Sequence, residues 1–509
     1  MSHPSKKEFI KLAKKGNLIP IYKEILADIE TPVSAFVKIK RSKYAFLLES
    51  VEGEEKIARF SFLGDSPSII FESRDRSIKI TKIQNSKGSV KKFITRKDPL
   101  EEIKKLMKKY IFVPVKGLPR FCGGFVGYIG YDMVRFFEPR LQKNRSKNID
   151  DLKLPDAVFV LADTMVIFDH LNNKIKVVSC AFIDDKSKNN PEKISDIYNS
   201  TVGKIDELIN RLRRPINLEV SAIAGRQTKY NLDSNFSKKE FENIVRKAKD
   251  YIQKGEIIQT VLSQRFHLKL KTSAFDIYRA LRNINPSAYM YFLDFDNLDV
   301  IGSSPELLIR CEDRVVQTRP IAGTRHRGKN KTEDKRLAKD LLNDAKEKAE
   351  HIMLVDLGRN DLGRVCKKST VKVNEFMKIE KYSHVMHIVS NVKGILSKNK
   401  DIYDLLRATF PAGTVSGAPK IRAMEIIDEL ENIKRGPYAG CVGYFSFSGN
   451  LDTCITIRTI IVKDKNAYIQ AGAGIVADSK PEKEYFETVN KAKAQICAIG
   501  LAKNFHRKT

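Results

Sequence analysis

The sequence predicts an α+β fold. Strand-like and helical segments alternate without the regular strand–helix–strand repeat of a parallel sheet. Several apolar runs lie close together across short polar turns, as antiparallel neighbours do. The 509 residues, 42% hydrophobic and 30% charged, have a globular balance and enough length for a sizeable core, in two to four units or one composite domain.

Residues 44–50 and 57–63 read as strands bracketing a turn at 51–54. Residues 99–110 read as a helix, and the Gly-rich run 121–132 as a strand followed by a close-packed turn. Two strands, 158–169 and 175–183, form an expected hairpin across 171–173. A helix over 194–212 leads into an expected linker, 213–236. Ser237 and Glu240 make a capping box that opens a helix over 239–254, which Gly255 ends; 257–270 is the next strand. Residues 332–357 read as one long helix with an apolar stripe at Leu341, Ala345, Ala349, Ile352 and Met353, and with Glu350 half-buried beside it. Residues 410–420, FPAGTVSGAPK, hold too much Gly and Pro for a helix and form a loop that enters one at Lys420. A strand over 467–470 precedes a glycine turn, and a helix opens at 479–482 with Pro481 in its first turn.

Charge is the most prominent compositional feature. The chain has 92 Lys+Arg against 62 Asp+Glu, a net +30. Such an excess suggests a nucleic-acid partner. However, Lys outnumbers Arg, the basic runs are short and scattered, and no aromatic residues interleave with them, so no nucleic-acid groove is expected. No apolar run is long enough to span a membrane. The seven cysteines show no CxxC or Cys/His metal spacing, and the N-terminus lacks a signal-like apolar core. A reducing compartment follows: the cytoplasm, or the plastid stroma for an organelle-encoded chain.

Three segments carry candidate chemistry. Gly472–Ala477 superficially matches the dinucleotide fingerprint GxGxxA, but the helix that this site needs within its glycines opens only at 479. Bare glycine backbone could instead approach an anion such as a carboxylate, or simply make a tight turn. Glu484, Glu487 and Lys491 share one helical face, opposite Tyr485, Val489, Ala492 and Ile496. That face reads as solvated charge. A lone half-buried Glu such as Glu350 is usually an ion-pair partner, while two such carboxylates from distant helices could instead share one Mg²⁺. His384 and His387 sit among apolar and Ser neighbours, as packed histidines do.

The segments 347–363 (EKAEHIMLVDLGRNDLG), 410–420, 436–445 (GPYAGCVGYF), 452–458 (DTCITIR) and 470–474 (QAGAG) resemble the chorismate-utilising enzymes over nearly the whole chain. The resemblance implies two packed, mostly antiparallel sheets flanked by helices. It also implies an N-terminal region at 17–170 bearing a tryptophan-regulatory pocket and a chorismate-binding catalytic region at 236–500. Within this family the anthranilate synthase component I branch is nearest. Gln259 stands where water-using relatives carry a Lys base, and an uncharged amide cannot deprotonate water, which suits ammonia as nucleophile. Ala322 stands where many aminodeoxychorismate synthases, the alternative branch, carry a nucleophilic Lys.

By this resemblance Glu350 and Glu487 hold Mg²⁺, which grips the ring carboxylate of chorismate. Tyr438, Arg458 and the amides of Gly472, Ala473 and Gly474 bind the enolpyruvyl carboxylate, the Arg fork matching its geometry. Gly323 and Thr324 contact substrate, and Lys491 adds positive charge. Glu306 is the general acid that protonates the departing C4 hydroxyl, and His387 assists the loss of pyruvate. Ser50, Pro286, Ala288, Tyr289 and Met290 form the tryptophan pocket, in which Ala288 replaces a more usual Pro. The chain has no Gly-x-Cys-x-Gly elbow, so ammonia is expected from a separate glutamine amidotransferase subunit in a hetero-oligomer.

Overall fold

A computed structural model describes residues 1–51, 59–84, 87–143, 148–216, 232–382 and 385–505. The expected turn at 51–54, most of the expected linker and His384 therefore lie largely or wholly outside the described residues. Two twelve-stranded sheets dominate the chain. The first runs in the order Leu18–Leu26, Lys174–Phe182, Thr164–Asp169, Phe60–Asp65, Tyr44–Glu49, Tyr289–Phe295, Leu298–Ser304, Thr459–Lys463, Asn466–Ile475, Gln259–Lys269 and Asp233–Ser234. The second begins at Ile321–His326 and Val385–Ile395 and passes through Leu307–Glu312, Leu451–Ile455 and Cys441–Ser446. It ends in the N-terminal strands from Gly124–Ile129 to Lys87–Ile94.

Both sheets cross from the N-terminal to the C-terminal region of the sequence. Tyr44–Glu49 pairs antiparallel with Tyr289–Phe295, and Gly124–Ile129 with Cys441–Ser446. Phe46, Phe62 and Tyr291 of the first sheet pack against Val126, Val158 and Tyr444 of the second in one buried cluster. The outer face of the first sheet is covered by the helices Pro191–Leu212, Ala274–Ile284 and Pro481–Ala502. The helices Pro99–Met107, Ala345–Gly363 and Ile402–Thr409 cover the second. Period-two geometry explains the apolar run at Gly124–Ile129: Phe125 and Ile129 face the helices while Val126 and Tyr128 face the other sheet, so both faces are buried. Among the described residues no helix is long and apolar enough to cross a membrane.

The capping box forms as expected. Ser237 Oγ accepts from Glu240 N, and Glu240 Oε2 accepts from Ser237 N, which starts the helix Lys238–Gln253. Gly255 follows that helix at φ +75°, a conformation that favours glycine.

Three expectations need correction. The run 158–169 is not one strand: Ala157–Ala162 belongs to the second sheet and Thr164–Asp169 to the first, with Asp163 at the crossing. Only Thr164–Asp169 makes the expected hairpin. The helix expected over 332–357 is two helices, Lys331–Asn343 and Ala345–Gly363. Asp344 stops the first and caps the second, its Oδ1 accepting from Lys346 N and Glu347 N at 3.0 and 3.1 Å. An Asp carboxylate competes well for backbone amides at such a point. The restart leaves Ile352 of the expected stripe 43% exposed and buries His351. Finally, Gly472–Gly474 are not a turn but the interior of the strand Asn466–Ile475.

Candidate active site

The strand Asn466–Ile475 pairs with Gln259–Lys269 along its full length, but its pairing with Thr459–Lys463 stops at Ile469. From Gln470 onward one edge is free of a named strand, so backbone groups there are open to a ligand. Side chains cross this stretch close to its glycines. A Cβ on Gly472 would lie 2.6 Å from the Tyr438 hydroxyl, and one on Gly474 would lie 2.8 Å from Gln259 Nε2.

Arg458 borders the same edge. Its backbone sits at φ +53°, a strained conformation for a non-glycine residue of the kind found at functional sites. Its Nη1 donates to Lys491 O at 2.8 Å. Among the described residues Arg458 makes no ion pair, and burial works against its charge. Tyr438 and Glu487 act the other way and favour the charge, and a guanidinium so placed suits an anionic group. Lys491 Nζ donates to Gly472 O at 3.0 Å and pairs with Glu487 at 2.7 Å.

Glu306, 7% exposed, precedes the strand Leu307–Glu312 and accepts a hydrogen bond on Oε1 from Thr414 Oγ1 at 3.0 Å. Burial pushes its carboxyl up to about 8, against the opposing pull of Thr414 and Lys491. It is thus an acid that keeps its proton at neutral pH. His387 lies on the strand Val385–Ile395, its Nδ1 2.9 Å from Gly323 O and 3.1 Å from Thr324 Oγ1. A carbonyl only accepts, so Nδ1 carries the proton and Nε2 holds the free lone pair. Burial depresses this imidazole below its usual range, favouring the neutral form. Gly323 and Thr324 therefore meet His387 directly, Gly323 at φ +68°.

Glu350 is half-buried, and its Oε1 accepts from Gln259 Nε2 at 3.3 Å. Through Gln259 it reaches Gly474, as Glu487 reaches Gly472 through Lys491. Each carboxylate has an acidic companion one turn away. Glu347 is raised by burial and by Glu350, and Glu484 by burial and by Glu487. Lys346 of the first helix also acts electrostatically on Glu484 of the second. Sequence reasoning assigned roles to neither Glu347, Glu484 nor Thr414. The Glu-x-x-Glu spacing on both helices was the available signal for the first two.

A family model described as chorismate binding enzyme matches residues 40–496. The chain belongs to the chorismate-binding enzymes. Among curated relatives of this family member, one from Aquifex aeolicus (strain VF5) is 51% identical over 98% of each chain and is named anthranilate synthase component 1. One from Acetivibrio thermocellus with the same name is 48% identical, covering 98% of this chain and 99% of its own. The solved anthranilate synthase component I from Streptococcus pneumoniae TIGR4 is similar with a TM-score of 0.73 and 38% identity, over 92% of this chain and 98% of that one.

The donor chemistry of this family member fits a hard divalent cation. On each of the two helices a carboxylate is raised by burial and by repulsion from its neighbour one turn away, and a nearby cation would relieve that repulsion. Among the described residues no group of three His, Cys, Asp or Glu side chains is placed to hold a metal ion by itself. Mg²⁺ does not need one, because it is commonly held by one or two carboxylates together with substrate oxygens and water.

A second cavity shares no residue with this site. Ser50, Ala288, Tyr289 and Met290 line it together with Arg120 and Arg310; Pro286 of the expected set is not among its lining residues. The pairing of Met290 with Glu49 brings the two expected segments side by side. Asp452 accepts from Arg310 Nε at 2.8 Å, Arg120 Nη2 at 3.1 Å and Tyr289 at 3.1 Å. Ser50 Oγ is buried with no hydrogen-bond partner among the described residues. The pocket thus offers aromatic walls, paired charges and one unsatisfied hydroxyl.

Proposed function

We propose that this chain converts chorismate and ammonia to anthranilate and pyruvate, as the chorismate-binding component of an anthranilate synthase. The observation that carries this reading is the buried Arg458, which makes no ion pair among the described residues, beside the strand edge of Gly472–Gly474 and the buried Tyr438, with the protonated acid Glu306 within electrostatic reach of Lys491. Relatives of that name at 48–51% identity support it.

In this reading Arg458, Tyr438 and the amides of Gly472–Gly474 bind the enolpyruvyl carboxylate. Gly323 and Thr324 orient the substrate, and Lys491 adds positive charge. Ammonia adds at C2 while the C4 hydroxyl leaves as water, taking its proton from Glu306; the product is 2-amino-2-deoxyisochorismate. His387 Nε2 then accepts the C2 proton as the C3–O bond breaks, and the released enolate takes up a proton at its methylene carbon to become pyruvate. Pyruvate departs and the ring becomes aromatic. Glu350 and Glu487 would hold Mg²⁺, which when bound supplies charge to the ring carboxylate; Glu347 and Glu484 lie beside them. Gln259 has no basic group to activate water, which leaves ammonia as the nucleophile, delivered by a glutamine amidotransferase subunit. The cysteines, all unpaired, suit a reducing compartment such as the cytoplasm.

Pyruvate release, coupled to a dehydrogenase, tests the reading: it should require both chorismate and ammonium. Release from chorismate without ammonium would overturn it. Arg458→Met should raise the chorismate KM about a hundredfold, the loss expected when a charge-assisted pair is truncated, and steady-state kinetics measure it. The second cavity is read as a tryptophan site, with the unsatisfied Ser50 hydroxyl available to the amino acid. Tryptophan should inhibit the enzyme, and Ser50→Ala should weaken that inhibition about tenfold through one lost hydrogen bond. A titration showing no inhibition at millimolar tryptophan would remove the assignment.

A further inference from the structure

Arg435 has no part in the chemistry above, yet it contacts Tyr438, the loop that carries Thr414 and the strand that pairs with Gly472–Gly474. It is 3% exposed. Its Nε and Nη2 donate to Glu431 Oε2 and Oε1 at 2.9 and 2.6 Å. Its Nη1 donates to Val415 O at 2.8 Å, one residue beyond the Thr414 that holds Glu306. Its Nη2 also donates to Val261 O at 2.7 Å, and Val261 is the strand partner of Gly474. The guanidinium carbon lies 4.7 Å from the Tyr131 ring centroid and 5.6 Å from that of Tyr438. Glu431 completes the arrangement. Its Oε1 accepts from Ser263 N and Ser263 Oγ, both at 2.8 Å, and Ser263 is the strand partner of Gly472.

Stability is a weak reason to bury such a pair, because desolvation offsets most of its Coulombic gain. Geometry is a stronger one. A planar guanidinium fixes several partners in one plane at once, as a Lys ammonium cannot. Val261, Ser263 and Val415 each adjoin or pair with a residue of the site, and Tyr438 belongs to it. We propose that Arg435, fixed by Glu431, is the positioning residue of the substrate-carboxylate subsite: it orients Tyr438 and locks the Thr414 loop against the strand facing Gly472–Gly474. Neither residue touches substrate. The inference rests on the assignment of Tyr438 and Arg458 to the enolpyruvyl carboxylate.

Product inhibition separates this role from a general structural one. Pyruvate reports on the enolpyruvyl subsite and anthranilate on the ring subsite. In Arg435→Lys the inhibition constant for pyruvate should rise about tenfold, the loss of one hydrogen bond to a charged group. That for anthranilate should change less than about twofold, with the circular dichroism spectrum unchanged at the assay temperature. Equal rises in both constants, or no rise in either, would overturn the proposal. Where Arg435→Lys does not fold, Glu431→Gln preserves side-chain shape and carries the same comparison. An unmodified chain inert toward chorismate and ammonium would instead defeat the functional reading itself.

Discussion

Glu306→Gln is expected to lower kcat about a thousandfold, the middle of the range for a lost general acid. The amide keeps the shape and can still accept from Thr414, so the fold is preserved. The pH profile gives a second readout. With its carboxyl raised from 4.5 to about 8, Glu306 is protonated below pH 8, so kcat/KM at constant free ammonia should fall as pH rises past 8. The variant should lose that alkaline limb. Stability should move the other way. Between pH 4.5 and 8 the folded chain keeps a proton that the unfolded chain has released, so this group makes stability fall as pH rises through that window. Glu306→Gln removes the cost, and thermal unfolding at pH 7 should show a higher midpoint for the inactive variant. An unchanged pH limb would rule out Glu306 as the acid.

Glu350→Gln and Glu487→Gln should each reduce turnover by a thousandfold or more, because a neutral amide is a poor ligand for a hard cation. Misfolding would not explain such losses. Glu487 is 45% exposed on its side chain and, among the described residues, makes its ion pair with Lys491 in the same helix, a contact of the class worth about 0–1 kcal/mol. Gln at position 350 still accepts from Gln259. Chelation of the unmodified chain should abolish activity and added Mg²⁺ restore it, whereas the variants should stay inactive across the titration. Near-normal activity in either variant would refute that ligand assignment.

Local signals were legible in the sequence and non-local ones were not. The Ser237–Glu240 capping box involves neighbours along the chain and forms as written. The glycines at 472 and 474 stand out in the sequence, but the close approach of the Tyr438 hydroxyl and the Gln259 amide to them was not legible, because it is made across the fold. That the segment is an open strand edge was not legible either, because the edge is defined by where Thr459–Lys463 stops pairing. Similarly, nothing in the apolar run 158–169 says that Asp163 marks a change of sheet. The pairing of Tyr44–Glu49 with Tyr289–Phe295 joins segments far apart in the chain. Thr414 and Arg435 were invisible because their partners, Glu306, Glu431, Val261 and Val415, come together only in the fold. The net charge of +30, the loudest feature of the composition, bears on the site through Arg458 and Lys491; the rest can at most steer an anionic substrate.

The position of the new amino group is the most direct test of the account. The purified chain should be incubated with chorismate, Mg²⁺ and ammonium, and the products resolved by chromatography and mass spectrometry. Anthranilate, with the amino group ortho to the carboxylate, should form in equal amount with pyruvate. Accumulation of 4-amino-4-deoxychorismate without pyruvate would contradict the account, because the amino group would then have entered at C4 and the enolpyruvyl group remained in place.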